Sequence, residues 1–272
     1  MTKVVLTIAG LDPSGGAGII ADIKTFSAFG CFAAAAVSSL TFQNTTGVFG
    51  SVTQTAEAVR GQAEPVLQDM DVAALKTGML PTREVIEECA RLIGQYGLKN
   101  VVVDPVVRST SGFDLIDDAA LSALTEKLFP LATVVTPNIP EAERIAGMSI
   151  RNEIEAGMAA RAMQALGAKN VLIKGGHLEP EDGEEKRTAK DYLFIGDDVH
   201  IFDGEFYDTT ATHGTGCTLA AAIAANLALG KGLIDAVGVA KRFVNAAIRT
   251  APNIGRGHSP INIQPAEKLL GG

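Results

Sequence analysis

Short apolar runs rich in Val, Ile and Ala recur along the chain, separated by longer stretches in which apolar positions return every three to four residues. The runs at 3–9, 33–43, 72–76, 100–106, 133–136 and 170–174 read as strands. The middle ones are almost purely apolar, which suits parallel strands covered on both faces. Between them the periodicity predicts helices over 17–29, 56–68, 82–96, 118–128, 139–146 and 153–166. This alternation predicts a doubly wound α/β sheet with helices on both faces. After Lys174 the pattern changes: a polar stretch at 179–187 reads as a surface loop, and 192–195 and 199–202 flank a turn at 196–198 as an antiparallel edge hairpin. Two closing helices, 215–229 and 233–250, are bounded by glycine or proline. No repeat or interdomain linker interrupts the series, so one domain over 1–272 is expected.

Composition narrows the class. The 272 residues hold 29 glycines but only 11 prolines and no low-complexity tract, which excludes collagen-like and disordered chains. Twenty-three Lys and Arg against 31 Asp and Glu leave a net charge of -8, so a broad surface for nucleic acid or anionic lipid is not expected. A small anionic substrate would need only a local positive site. Cys31, Cys89 and Cys217 form no CxxC pair, which fits a reducing cytoplasm rather than a disulfide framework. Residues 1–10 read as a strand and not as a signal peptide. Two long stretches, 25–56 without a charge and 209–230 with only His213, are broken by Gly, Ser, Gln43, Asn44 and Asn226; they read as buried core and not as membrane spans.

In open α/β sheets the ligand lies beyond the carboxyl ends of the strands, so the residues that follow each strand carry the chemistry. Here these are 10–22, 43–45, 77–79, 104–106, 136–141 and 174–177, a set of glycines and polar groups with one lysine, Lys174. Gly16, Gly18 and Ala21 match a dinucleotide fingerprint. The second strand, however, ends in Phe42–Thr45 with no acid to hold a ribose, so a nicotinamide site is not supported and the glycines equally suit close helix packing. No P-loop signature occurs. Thr212 to Thr218 opens an Ala-rich helix, and the amides of Gly214, Thr215, Gly216 and Cys217 would form an anion nest at the positive end of the helix dipole. A thiol there is expected to have a lowered pKa, as base or nucleophile, though Cys217 also suits a small buried residue in a tight turn. His213 and Cys217 have a zinc-like spacing, but the helix begins between them and no second pair is near. Asp104, Asn138 and Glu141 are hard oxygen ligands fit for water-held magnesium; Asn138 and Glu141 equally fit a helix capping box.

Taken together the motifs resemble those of the hydroxymethylpyrimidine and phosphomethylpyrimidine kinases, within the ribokinase-like superfamily. The agreement runs nearly end to end: AGLDPSGGAGIIADIKTF (9–26), FQNTTGV (42–48), KTGML (76–80), VDPV (103–106), TPNIPE (136–141), KGGH (174–177), HGTGCT (213–218) and GRGHSP (255–260). The resemblance implies a three-layer α/β fold with a mostly parallel sheet. It implies an ATP- and Mg2+-dependent kinase that phosphorylates 4-amino-5-hydroxymethyl-2-methylpyrimidine and then its monophosphate, as a cytoplasmic homodimer. By position, Gln43 is similar to the family's pyrimidine-reading residue, with Gly10, Asp22, Met79 and Val106 completing the pocket. Lys174 resembles the phosphate-contacting lysine, with Thr212, His213 and Asn138 beside the ATP phosphates. Asp104, Asn138 and Glu141 resemble the metal-linked groups, and Gly214 to Cys217 the catalytic anion hole.

Sugar kinases of the superfamily often carry aspartate where Cys217 stands, and insert a lid for which the step from helix 17–29 into the second strand leaves no room. The nearest alternative implied is a cysteine-type pyridoxal kinase, against which the QNT of 43–45 speaks; the other is a non-catalytic precursor-binding protein. Residues 108–112, Leu11, Ser259 and the long 179–187 loop depart from the family pattern and leave the flap over the second phosphate undefined.

Overall fold

The computed structural model describes residues 1–107, 115–175, 188–264 and 266–271. Its strands are β1 (Val4–Leu11), β2 (Phe32–Asn44), β3 (Gly47–Thr53), β4 (Val72–Thr77), β5 (Val101–Val103), β6 (Val134–Val135), β7 (Asn170–Lys174), β8 (Asp191–Ile195) and β9 (Asp198–Phe202). Its α-helices are α1 (Gly18–Ala28), α2 (Ala56–Asp69), α3 (Arg83–Tyr96), α4 (Asp118–Ala123), α5 (Ile139–Ala146), α6 (Glu153–Ala165), α7 (Thr215–Ala228), α8 (Leu233–Arg249) and α9 (Ala266–Leu270). All nine strands join one sheet in the order β3-β2-β1-β4-β5-β6-β7-β8-β9. The six strands from β2 to β7 in that order are parallel; β3 at one edge and β8 and β9 at the other are antiparallel.

Strand residues alternate between two cores, which is why the central runs need no polar positions. Leu6, Val101, Val103, Val135 and Ile173 face one side with α2, α3, α5 and α6. Val5, Val102, Val134 and Leu172 face the other with α7 and α8. α7 is buried along its length from Thr218 to Ala228, with Ala220, Ala221, Ala222, Ala224 and Ala225 fully inaccessible. Its small side chains let α1, α8 and the sheet approach it closely, and this fixes where its N-terminus ends up. Among the described residues no helix is long and apolar enough to cross a membrane.

Apart from 118–128, the helices and parallel strands fall where the periodicity places them, with ends shifted by no more than three residues. Three differences have physical causes. First, β3 and α9 are absent from the pattern-based expectation; β3 is an edge strand carrying Gly47, Gly50, Ser51 and Thr53, so it shows little apolar alternation. The sheet therefore has antiparallel strands at both edges and not one hairpin. Second, the uncharged stretch 25–56 is not uniformly core: Phe42 is 54% exposed and Phe49 67%. The pairing of β1 with β2 ends at Leu11 and Leu40, so the tip of β2 has only β3 beside it. Third, the helix expected over 118–128 is α4 followed by a π-turn at Leu124–Leu128 and a short 3-10 turn containing Pro130, a residue without an N–H to continue the ladder. The polar loop at 179–187 and the departures at 108–112 lie outside the described residues, as do Gly176 and His177.

The burial of α7 sets a stability test. Ala224→Leu adds three carbons where nothing yields, so it is expected to lower unfolding free energy by about 1–3 kcal/mol. In urea denaturation this appears as a lower midpoint at unchanged slope.

Candidate active site

Beyond the carboxyl ends of β1, β4, β5, β6 and β7 lies a cavity of about 800 Å³. The anion loop forms one side. Gly214 adopts φ +83°, and a methyl on it would overlap the Gly16 carbonyl, so the loop before α7 docks on the β1–α1 loop with no room for a side chain. The first helical amides of α7 have no intrahelical partner, as at any helix start, and Gly214, Thr215, Gly216 and Cys217 all line the cavity. Thr215 is tied back to the Thr212 carbonyl by its amide (3.3 Å) and hydroxyl (3.1 Å).

Asp12 fastens this junction, a residue to which the sequence reading assigned no role. Its carboxylate accepts hydrogen bonds from the Ser14 and Ala17 amides, each 2.8 Å, and lies 2.7 Å from His213 Nε2. Burial opposes the Asp12 charge, but His213 and Ser14 outweigh it and hold the carboxyl below its usual range. His213, expected beside the phosphates, does line the cavity, yet its ring nitrogen is committed to Asp12.

The expected charged groups meet across the strand ends. Lys174 Nζ lies 3.0 Å from Asp104 Oδ1 and 4.0 Å from Glu141 Oε2, and a methyl on Gly216 would be 3.2 Å from it. Thr136 also donates to Asp104 Oδ1 (3.1 Å). Asn138 and Glu141 make the full capping box of α5: Asn138 Oδ1 accepts from the Glu141 amide, and Glu141 Oε2 from the Asn138 amide, each 2.9 Å. Burial pushes the Glu141 carboxyl up to about 7, with Lys174 opposing and Asp104 adding to the rise. Burial also works against the Lys174 charge, but Asp104 and Glu141 prevail and keep the ammonium above its ordinary range.

Gly10, Gln43, Met79 and Val106 line another part of the same cavity, as expected. Gly10 is needed there because a methyl would come within 3.1 Å of Met79 Sδ. Gln43 Nε2 donates to Thr41 Oγ1 (2.7 Å), which turns the amide toward the cavity rim and uses one of its hydrogens.

Two expectations are corrected. Asp22 is not a pocket wall: it is wholly buried behind it, accepting from Thr7 Oγ1 (2.7 Å) and Lys76 Nζ (2.9 Å). The cavity is reached instead by Lys76, to which the sequence assigned no role beyond its place in the KTGML motif. Cys217 does not have a lowered pKa. Burial pushes its thiol up to about 11; Lys76 pulls the other way, while Asp104 and Asp22 add to the rise. The helix terminus is outweighed by desolvation and by two carboxylates that no local sequence window contains. A third arm, also unforeseen, is anchored by Lys241 Nζ on Asp191 Oδ2 (2.7 Å) and lined by Tyr207, Val244 and Ile248.

The donor set bears on a metal. Among the described residues no three His, Cys, Asp or Glu are grouped to hold an ion. Asp104 is engaged by Lys174 and Thr136, and Asn138 by its cap, so a protein cage is absent. Magnesium held mainly by phosphates and water, with Asp104 and Glu141 in its outer shell, fits this arrangement.

A doubly wound sheet whose strand ends present an amide nest, a buried lysine and paired carboxylates defines a small-molecule phosphotransferase of ribokinase-like architecture. A family model described as phosphomethylpyrimidine kinase matches residues 12–262, and the chain belongs to that family. It is 47% identical over 258 residues to a thiamine biosynthesis bifunctional protein, ThiED, of Geobacter sulfurreducens, which covers 95% of this chain and 51% of that protein; this chain thus spans about half of that relative. It is 44% identical over 261 residues to a hydroxymethylpyrimidine/phosphomethylpyrimidine kinase of Haemophilus influenzae, covering 96% of each. A solved ADP complex of Bacillus subtilis pyridoxal kinase superposes with a TM-score of 0.88 at 36% identity, covering 98% of this chain and all of that one.

The Glu141 carboxyl gives a pH test. Its folded value near 7 lies above the unfolded value near 4.5, so between them the folded chain keeps a proton that the unfolded chain has lost, and stability falls as pH rises. The melting temperature of the ligand-free protein, compared with Glu141→Gln, is expected to fall between pH 5 and 8. A constant difference across that range contradicts the assignment.

Proposed function

We propose that this cavity transfers the γ-phosphoryl group of ATP first to 4-amino-5-hydroxymethyl-2-methylpyrimidine and then to its monophosphate, giving the diphosphate. As a member of its family the protein is a phosphotransferase of thiamine biosynthesis. The observation that carries the residue-level reading is the meeting, in one cavity, of the Gly214 to Cys217 amides, Lys174 and the Gln43 arm.

Gln43 keeps an amide hydrogen and its oxygen for an aminopyrimidine edge, which needs one donor and one acceptor. Met79 and Val106 supply apolar contact to the ring. The hydroxymethyl group then points toward Cys217 and the anion loop. Charge on the transferring phosphoryl group is met by the α7 amides and Lys174, with Thr212 and Asn138 at the sides. ATP and magnesium supply the phosphoryl group and neutralise its phosphate oxygens. Cys217 is a neutral thiol in the free enzyme at pH 7, so its role is to hold the hydroxyl in place, while the hydroxyl proton leaves late, onto an oxygen of the arriving phosphoryl group, as the new O–P bond forms. A loose transition state asks more of positioning and charge stabilisation than of early proton removal. The third arm, with Lys241 and Asp191 at its base, suits the nucleoside part of ATP.

The reading also takes residues 1–272 as a single kinase domain, places it in the cytoplasm, where its three free cysteines suit reduced thiols, and makes it a homodimer. Phe42, Phe49 and Val52 on the β2–β3 edge offer apolar surface for a second copy. One observation favours a second substrate, pyridoxal: the closeness of the fold to a pyridoxal kinase.

The test is ADP release with Mg-ATP and, in parallel, hydroxymethylpyrimidine, its monophosphate, pyridoxal, hydroxyethylthiazole and ribose. Turnover on both pyrimidines with pyridoxal far slower is expected, and Cys217→Ala is expected to lose most of it while still binding the pyrimidine. Turnover on pyridoxal alone moves the protein to the second reading; silence on all five overturns both. Full turnover by Cys217→Ala removes the thiol from the mechanism.

A further inference from the structure

The GRGHSP segment is not explained by the assignments above, since none of its residues carries out a step. Its backbone nevertheless touches two parts of the site. At one end it meets the β2–β3 turn. Asn44 Oδ1 closes that turn by accepting from the Thr46 amide (2.8 Å) and hydroxyl (2.7 Å). Thr45 instead engages the segment: its Oγ1 accepts from the Arg256 amide (3.2 Å) and the Gly257 amide (3.4 Å), and its carbonyl accepts from the His258 amide (2.7 Å). A methyl on Gly257 would overlap the Thr45 carbonyl, so the two backbones are in direct contact.

At the other end the same segment meets the anion loop. The His213 amide donates to the Ser259 carbonyl (3.2 Å), and His213 and Pro260 form a parallel bridge. Buried Ser259 fixes the strap's own shape, its Oγ accepting from the Ile254 amide (3.1 Å). Gly257 and Ser259 are two residues apart, a reach of about 7 Å at most. Among the described residues, the tip of β2 beyond its last pairing with β1 at Leu40 is otherwise hydrogen-bonded inward only by Thr41 Oγ1 to the Leu11 carbonyl (2.8 Å). The strap is thus a short, direct link between the hairpin that carries Gln43 and the loop that carries Gly214.

We propose that Thr45 is a positioning residue: through the strap at 254–260 it holds the Gln43 hairpin at a fixed distance from the anion loop and so sets the substrate hydroxyl against the group to be transferred. This rests on the pyrimidine reading of Gln43 and deepens it. A displacement of about 1 Å between reacting groups costs about a hundredfold in rate, so a partial loosening at Thr45 is expected to cost about tenfold. The loss falls on the pyrimidine side. Nucleotide binding relies on the anion loop, which Asp12 secures independently of Thr45.

The experiment compares Thr45→Val, which keeps the branched shape but removes the acceptor oxygen, with Thr45→Ser, which restores it. For Thr45→Val, kcat/KM for hydroxymethylpyrimidine is expected to fall about tenfold, while the dissociation constant for ADP, measured by calorimetry, stays within about twofold. Thr45→Ser is expected to recover most of the loss. Gly257→Ala approaches the same contact from the strap side and is expected to give the same split, with the double variant no worse than the poorer single one. If Thr45→Val stays within twofold of the parent on the pyrimidine while Gln43→Leu is impaired, the proposal fails and the Gln43 reading stands. If pyrimidine turnover and ADP binding decline together in step with the melting temperature, Thr45 is only a fold contact and the proposal fails. If Gln43→Leu leaves the pyrimidine KM unchanged, the Gln43 reading fails and takes the proposal with it.

Discussion

The site depends on one close approach: the backbone of Gly214 against the backbone of Gly16. No residue with a side chain fits at Gly214, and its positive φ turns the chain into α7 where Gly214, Thr215, Gly216 and Cys217 line the cavity. Burial of α7 among α1, α8 and the sheet holds the far end of the helix, while Asp12 and His213 hold the near end. A helix terminus alone is a weak anion site. Fixed from both ends and flanked by Lys174, it serves under the proposed function as a preorganised one, which need not reorganise when charge develops.

Around that nest the charges are arranged in pairs rather than singly. Lys174 faces Asp104 and Glu141, Lys76 faces Asp22, and Lys241 faces Asp191. Buried pairs of this kind contribute little net stability, since desolvation cancels much of the attraction. Their recurrence along the rim of one cavity points to work on charged ligands. Lys174 can exchange a carboxylate for a phosphate oxygen without losing a partner. Glu141, near neutrality in the free chain, can adapt its charge to what arrives.

Much of this was legible in the sequence, and the limits follow from what a local window contains. The α5 start was legible because Asn138 and Glu141 lie three residues apart and cap each other within one turn. The α7 start was legible because its glycines and threonines have local consequences. Asp22 was misplaced because its partner, Lys76, is 54 residues away, and the sequence shows no sign that the two meet. Asp12 was passed over for the same reason, with His213 lying 201 residues further on. The Cys217 thiol was misjudged because the helix-terminus rule is local, whereas it is outweighed by burial and by two carboxylates far off in sequence, Asp22 on α1 and Asp104 after β5. β3 was missed because an exposed edge strand with two glycines carries no periodic signal.

The central claim is that the amides from Gly214 to Cys217 cradle the phosphoryl group during transfer. A crystal structure with ADP, magnesium, aluminium fluoride and hydroxymethylpyrimidine tests it directly. The account predicts the planar fluoride group within about 3.2 Å of at least two of those amide nitrogens, with Lys174 beside it and the pyrimidine against Gln43. A fluoride group bound elsewhere in the cavity, with the α7 amides facing only water, would contradict it.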